Sequence, residues 1–150
     1  MGTHHQGPID EINALNSFIK LQRAADSILV RTHAGLPGNL TETQFAVLEA
    51  LHHLGPLCQG ELAEKLLKSG GNLTLVVSNL ERAGWVRRER DPSDHRFVTV
   101  RLTDQGQALI SEIFPRIAAA ITREMSALSS TELIDLGRLC KKLGLGTAKI

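Results

Sequence analysis

The chain has 150 residues, of which 42% are hydrophobic, and its formal net charge at pH 7 is +1. This length suits a single domain with a hydrophobic core, or a small domain that carries extra oligomerisation helices. No apolar run approaches the roughly 20 residues of a membrane-spanning helix, so we expect a soluble protein with no membrane partner.

Cysteine content and the N-terminus indicate the compartment. The two cysteines, Cys58 and Cys140, cannot form a disulfide framework. The first residues show no secretory leader. We therefore expect a cytoplasmic protein.

Positive charge is unevenly distributed, although the total charge is nearly neutral. Six of the eleven arginines fall within the twenty residues from Arg82 to Arg101. A local cluster of this kind is typical of a nucleic-acid contact.

Four helices are predicted in the first half of the chain. Apolar residues at helical spacing indicate a long amphipathic helix from Ile9 to about Val30. Thr41 and Gln44 have capping-box spacing and open a second helix, which Gly55 and Pro56 close. A third helix runs from about Gln59 to Leu67. The fourth spans the stretch SGGNLTLVVSNLERAG, residues 69–84, and its apolar face comprises Leu73, Val76, Val77 and Leu80.

The periodicity changes after Gly84. Residues 85–90 and 97–102 are predicted strands, joined through turn-forming residues 91–94 into a two-stranded hairpin with a charged tip. Thr103 and Asp104 then cap a long helix, in which Pro115 predicts a kink or break near residues 111–114. Ser129 and Glu132 form another capping box ahead of the last helix.

This order predicts a mostly α-helical chain with a small β-hairpin, an α+β arrangement. Two helices joined by a short turn and followed by a hairpin are the pattern of a winged helix-turn-helix. In that fold the second helix of the pair, here the glycine-led one, enters the major groove of DNA.

Five segments resemble the MarR (multiple antibiotic resistance regulator) family of bacterial transcription factors. They are LTETQF (40–45), ELAEKL (61–66), LERAGWVRR (80–88), RDPSDHR (90–96) and LTDQG (102–106). The resemblance implies one MarR-like domain over residues 1–150, with a winged helix-turn-helix at about 40–103 and dimerisation helices at about 9–33 and 104–145. It also implies a homodimer that binds palindromic promoter DNA, usually as a repressor released by a small ligand or by oxidation.

The glycine-led helix carries the predicted DNA contacts. Its free N–H groups and the positive end of its dipole form an anion site, and small glycines let a phosphate approach. The alternative is that the glycines only permit close packing of the helix pair. The outer face is suited to base edges. The predicted contacts are Ser69, Gly70, Gly71, Asn72, Thr74, Leu75, Ser78 and Asn79.

The hairpin tip carries the second group of predicted DNA contacts. Arg96 is placed to enter a minor groove, and Asp94 is expected to hold Arg96 or Arg90 in position. His95 lies between them and is included. The alternative is an ordinary charged loop.

Effector and redox sites are less specific. In the resembled family, aromatic or phenolic acids bind between the dimerisation helices and the winged domain, which implies candidates at Phe18, Gln22, His33 and Gln44. Cys58 stands at a helix start, where the dipole favours a thiolate. A thiol-based redox sensor therefore remains an alternative to ligand control.

Other functions are less well supported by the residues. No nucleophile elbow, phosphate-binding loop after a strand or HExxH motif is found, so we expect neither an enzyme nor a cofactor. His52 and His53 are adjacent and point to different helix faces, so no metal site is predicted. A protein-interaction module without specific DNA binding is the alternative to a DNA-binding regulator, and salt-dependent DNA binding would distinguish the two.

Overall fold

The computed structural model describes residues 2–37, 40–67, 70–90 and 97–146. The chain divides into two compact units. One unit comprises residues 35–117, and the other is formed by residues 1–34 together with 118–150.

The described residues form six helices and three short strands. In chain order they are α1 (Ile9–His33), α2 (Glu42–Leu54), β1 (Leu57–Cys58), α3 (Gln59–Lys65), α4 (Gly70–Arg82), β2 (Val86–Arg90), β3 (Val98–Leu102), α5 (Asp104–Met125) and α6 (Ser130–Gly144). The predicted fold class is confirmed.

Helix starts follow local sequence signals. Capping boxes are present at Thr41, Cys58 and Ser129, and in each the side chain three residues on bonds back to the cap backbone. Such reciprocal bonds satisfy donors that a helix start leaves unpaired. The predicted helix starts at these residues are therefore confirmed.

The sheet differs from the two-stranded hairpin that the sequence predicted. Its strand order is β1-β3-β2, and both pairings are antiparallel. Leu57 pairs with Val100, and Cys58 pairs with Thr99. The prediction missed β1 because a strand of only two residues shows no alternation of apolar and polar positions.

A hydrophobic core lies within the unit of residues 35–117. Leu73, Val76, Val77 and Leu80 are buried on one face of α4, as predicted. Their neighbours in the core are Leu40, Phe45, Val47, Leu48, Leu51, Leu62, Val86, Val100, Ile110, Ile113 and Ile117. Burial of each large aliphatic side chain contributes about 1.5–3 kcal/mol. The core thus fixes α4 and leaves its opposite face toward solvent.

Pro115 does not break α5, so that part of the prediction is wrong. The helix runs from Asp104 to Met125 with the proline inside it. Ile113 and Ile117, on either side of Pro115, are both buried in the core. Their burial offsets the hydrogen bond that the proline removes.

The unit formed by both termini exposes apolar side chains. Thr32 is the buried residue of α1, and none is buried among the described residues of α6. The exposed large apolar residues of this unit are Ile9, Leu15, Phe18, Leu21, Val30, Ile121, Ile134, Leu139, Leu143 and Leu145. Within the described part of the chain, no helix combines the length and apolar character needed to cross a membrane.

Candidate nucleic-acid interface

The first turn of α4 presents glycines to open space. Among the described residues, a Cβ atom built on Gly70 or Gly71 would meet nothing within 4 Å outside the helix backbone and chain neighbours. Packing against the described residues therefore does not require either glycine. The positive end of the helix dipole gives this turn affinity for an anion.

The outer face of α4 continues from this turn. Asn72, Thr74 and Leu75 are exposed, whereas Ser78 and Asn79 are half-buried. Leu75 is 62% exposed, on a helix whose opposite face fills the core. The face therefore offers one apolar side chain among small polar ones.

Thr74 is already engaged within the protein. Its hydroxyl donates to the carbonyl oxygen of Gly70 at 2.9 Å and accepts from Nε2 of Gln59 at 2.6 Å. Gln59 begins α3, so this contact joins the two helices at their N-terminal ends. Sequence reasoning missed Gln59 because its partner is fifteen residues away, on another helix.

Asn79 lies beside a cation. Nη1 of Arg82 is 3.4 Å from Oδ1 of Asn79, and Arg82 is exposed. The Asn79 amide group keeps its two N–H donors in this arrangement. The C-terminal half of the outer face thus combines a donor with a positive charge.

Two glutamates pair with three arginines of the cluster. Glu81 pairs with Arg88 at 2.6 Å. Glu89 lies 3.0 Å from Nε of both Arg87 and Arg101, although the Arg101 N–H is not aligned for a hydrogen bond. The guanidinium of Arg88 holds the pKa of Glu81 below its usual range. Counting arginines in the sequence therefore overstates the charge available to DNA.

The hairpin contributes Arg90 at its described end. This residue is exposed, ends β2 and pairs across the sheet with Val98. The predicted contacts Ser69, Asp94, His95 and Arg96 lie outside the described residues.

Hydrogen bonds and close packing hold the base of the hairpin against the start of α5. Gly84 has φ of +78°, which glycine adopts without strain. Its carbonyl oxygen accepts from the Thr103 hydroxyl at 2.6 Å, and Thr103 also caps α5 by accepting from Gly106 N–H at 3.0 Å. A Cβ on Gly106 would lie 1.9 Å from the carbonyl oxygen of Trp85. The start of α5 is thereby held against the turn between α4 and β2.

Cys58 acts as a helix cap. Its sulfur accepts from Glu61 N–H at 3.5 Å, and its own N–H donates to Glu61 Oε2 at 2.8 Å. These bonds hold the pKa of Glu61 below its usual range. The thiol is half-buried beside a cavity of about 410 Å³ that Phe97 and Val98 also line. Redox activity of Cys58 stays a prediction.

The predicted effector residues have different local settings. Phe18 and Gln22 are exposed on α1. His33 is half-buried in the last turn of α1, with Nδ1 3.0 Å from the Thr32 hydroxyl oxygen. The Gln44 side-chain oxygen accepts from Thr41 N–H at 2.9 Å, which leaves its amide N–H groups and a second lone pair of that oxygen for a ligand.

The described residues contain no group of three His, Cys, Asp or Glu side chains placed to hold a metal ion.

Comparisons with known proteins identify relatives of this chain. The sequence model of the MarR family matches residues 40–98. MhqR of Bacillus subtilis (strain 168), an HTH-type transcriptional regulator, is 36% identical over 134 residues, covering 88% of this chain and 92% of that protein. YkoM of the same organism, an uncharacterized HTH-type transcriptional regulator, is 43% identical over 103 residues, covering 69% of this chain and 67% of that protein.

A solved structure shares both fold and sequence features. The crystal structure of a mutant MarR from E. coli complexed with operator DNA superposes with a TM-score of 0.75. It is 27% identical in sequence, and the match covers 92% of this chain and 99% of that one.

Proposed function

The chain belongs to the MarR family, and on that premise we propose that it binds palindromic promoter DNA as a homodimer and is released from it by a small aromatic or phenolic ligand. Its relatives are transcriptional regulators rather than enzymes. A repressor role in the cytoplasm fits this family.

The open, glycine-led face of α4 is the observation that carries DNA binding. It combines an anion site at the first turn with exposed side chains suited to base edges. The similar E. coli protein was crystallised with operator DNA. We therefore assign α4 to the major groove and the hairpin from Arg90 onward to an adjacent groove.

The unpartnered apolar side chains of α1 and α6 support the homodimer. Phe18 is 62% exposed, and Ile134 is 73% exposed. Apolar stripes of this extent are normally buried by a partner, and a two-fold dimer matches a palindromic site.

The ligand proposal rests on the family resemblance and on the predicted effector residues Phe18, Gln22, His33 and Gln44. An aromatic ring and several hydrogen-bonding groups suit a phenol or an aromatic acid. A thermal-shift screen of aromatic acids and quinones, followed by DNA release, tests it. Ligands that stabilise the protein without weakening DNA binding would contradict this part of the proposal.

DNA recognition is tested by selection from a random duplex library, followed by titration of the enriched DNA at several salt concentrations. We expect enrichment of a palindrome and affinity that falls with salt. Failure to enrich any sequence would contradict the proposal and favour the protein-interaction alternative.

A matched pair of leucine variants tests the assigned face. Leu75→Ala should change the preferred bases and weaken binding by about 1 kcal/mol, or roughly fivefold, per half-site. Leu54→Ala is the control, because Leu54 is similarly exposed, at 55% against 62%, but lies at the end of α2. Equal effects of the two substitutions would show that α4 does not read the bases through Leu75.

A further inference from the structure

A carboxylate on α4 holds the edge of the sheet. Oε2 of Glu81 accepts from Nε and Nη2 of Arg88 at 2.9 and 2.6 Å. Oε1 of the same carboxylate accepts from the backbone N–H of Arg88 at 3.1 Å. Glu81 therefore binds both the side chain and the backbone of one residue of β2.

The backbone bond has a clear topological reason. With the order β1-β3-β2, β2 is an edge strand of the described sheet, and the N–H of Arg88 faces away from β3. An unpaired edge N–H needs another acceptor. Glu81 supplies it from the last turn of α4, so the helix covers this part of the edge.

The contact between Glu81 and Arg88 lies farther along the chain than the other hydrogen bonds to α4. Ala83, Gly84 and Trp85 donate backbone N–H groups to carbonyl oxygens of the last turns of α4, and these bonds fix the base of the hairpin. Beyond that base, Arg88 is the outermost described residue of β2 with a side-chain bond to α4. Arg90 follows two residues later, so it lies on the same face of the strand.

We propose that Glu81 is a positioning residue for DNA recognition, because its hydrogen bonds to Arg88 set the distance between the outer face of α4 and Arg90 at the end of β2. This inference rests on the proposed function, since that distance matters only if both elements contact one DNA duplex.

Charge alone leads to the opposite expectation. A carboxylate near DNA repels phosphates, so its removal should strengthen binding if electrostatics were its only effect. Glu89 provides the matched case, because it also pairs with arginines but lies on β2 and contacts Arg87 and Arg101 rather than α4. Glu81→Gln and Glu89→Gln change the net charge equally.

The experiment compares Glu81→Ala, Glu81→Gln and Glu89→Gln with the wild-type dimer. Affinities for the selected palindrome and for an unrelated duplex are measured at one salt concentration. We expect Glu81→Ala to weaken palindrome binding about 5- to 150-fold, the range for one lost directed contact. Binding to unrelated DNA should not weaken. Glu81→Gln, which can still accept the backbone N–H, should show a smaller loss, whereas Glu89→Gln should bind as tightly as wild type or tighter.

A second readout separates positioning from loss of stability. Palindrome variants are made at the base pairs whose recognition Arg90→Ala abolishes, and at those affected by Leu75→Ala. Glu81→Ala should lose discrimination between bases at the positions that Arg90→Ala affects and keep it at the positions that Leu75→Ala affects. Uniform loss at both groups, or wild-type affinity and discrimination, would overturn the positioning role.

Failure of the proposed function gives a different result. In that case selection would enrich no palindrome, and the wild-type protein would bind all duplexes with similar affinity. Urea unfolding of each variant verifies that it is folded, and Glu81→Gln carries the test should Glu81→Ala be unfolded.

Discussion

Replacing both glycines at the start of α4 should stabilise the protein and weaken its binding to DNA. Gly→Ala within a helix gains up to about 1 kcal/mol per residue, partly because alanine restricts the unfolded chain. At Gly70 and Gly71 the added methyl groups meet nothing within 4 Å, so no clash offsets the gain. For the two substitutions in α4 together, we therefore expect the free energy of unfolding to rise by up to about 2 kcal/mol.

The same methyl groups should obstruct a phosphate that approaches the first turn of α4, at the positive end of the helix dipole. Loss of one such contact in each half-site would weaken DNA binding on the order of 10- to 100-fold. Urea unfolding and titration of labelled palindromic DNA measure the two effects. Gly137→Ala is the control for the stability gain, because Gly137 also lies in a helix, α6, and its added methyl group meets nothing within 4 Å among the described residues. A Gly70→Ala, Gly71→Ala protein that is more stable and binds DNA as well as wild type would refute the phosphate-approach argument.

Three further predictions concern the framework around this site. Gly106→Ala should destabilise the protein by about 2 kcal/mol or more, because its methyl group would overlap the Trp85 carbonyl oxygen, and urea unfolding checks this. Cys58→Ala should lower the free energy of unfolding by about 1 kcal/mol through loss of the α3 cap, whereas Cys58→Ser should keep the cap. Peroxide that releases DNA from wild type but not from the serine variant would support redox sensing. Arg88 lowers the pKa of Glu81 from 4.5, so the stability that this pair contributes should be complete above pH 4.5. It should be lost as pH falls through the lowered pKa, and over that range the free energy of unfolding should fall more in wild type than in Glu81→Gln.

Local signals explain what the sequence could predict. The caps at Thr41, Cys58 and Ser129 depend on residues only three positions apart, and each formed as expected. The apolar face of α4 was equally clear, since a single period describes Leu73, Val76, Val77 and Leu80.

Long-range pairing explains what it could not predict. Strand β1 exists because Leu57 and Cys58 lie opposite β3, some forty residues later in the chain, and nothing in those two residues specifies that partner. Continuity of α5 through Pro115 likewise depends on burial of Ile113 and Ile117 against other elements.

The candidate site shows the same difference between local signals, which the sequence reveals, and long-range contacts, which it does not. Gly70, Gly71 and Leu75 were predicted from their type and place on one helix, and each lies exposed on α4. Their contact with DNA stays a proposal. The link from Glu81 to Arg88 was missed because it depends on which strand edge faces the helix, and sequence spacing does not give that orientation.

Charge pairing in the arginine cluster bears on how such a protein can select a sequence. Arg87, Arg88 and Arg101 are paired with Glu81 or Glu89, so their net attraction for phosphates is small. Non-specific DNA affinity rises with the number of phosphates that free cations neutralise, so these ion pairs lower it. Lower non-specific binding increases the ratio of specific to non-specific affinity that a regulator needs in a genome full of competing sites. If α4 and Arg90 contact DNA as proposed, the glutamates of this region favour specificity in two ways: they limit general attraction and, at Glu81, they fix where the directed contacts fall.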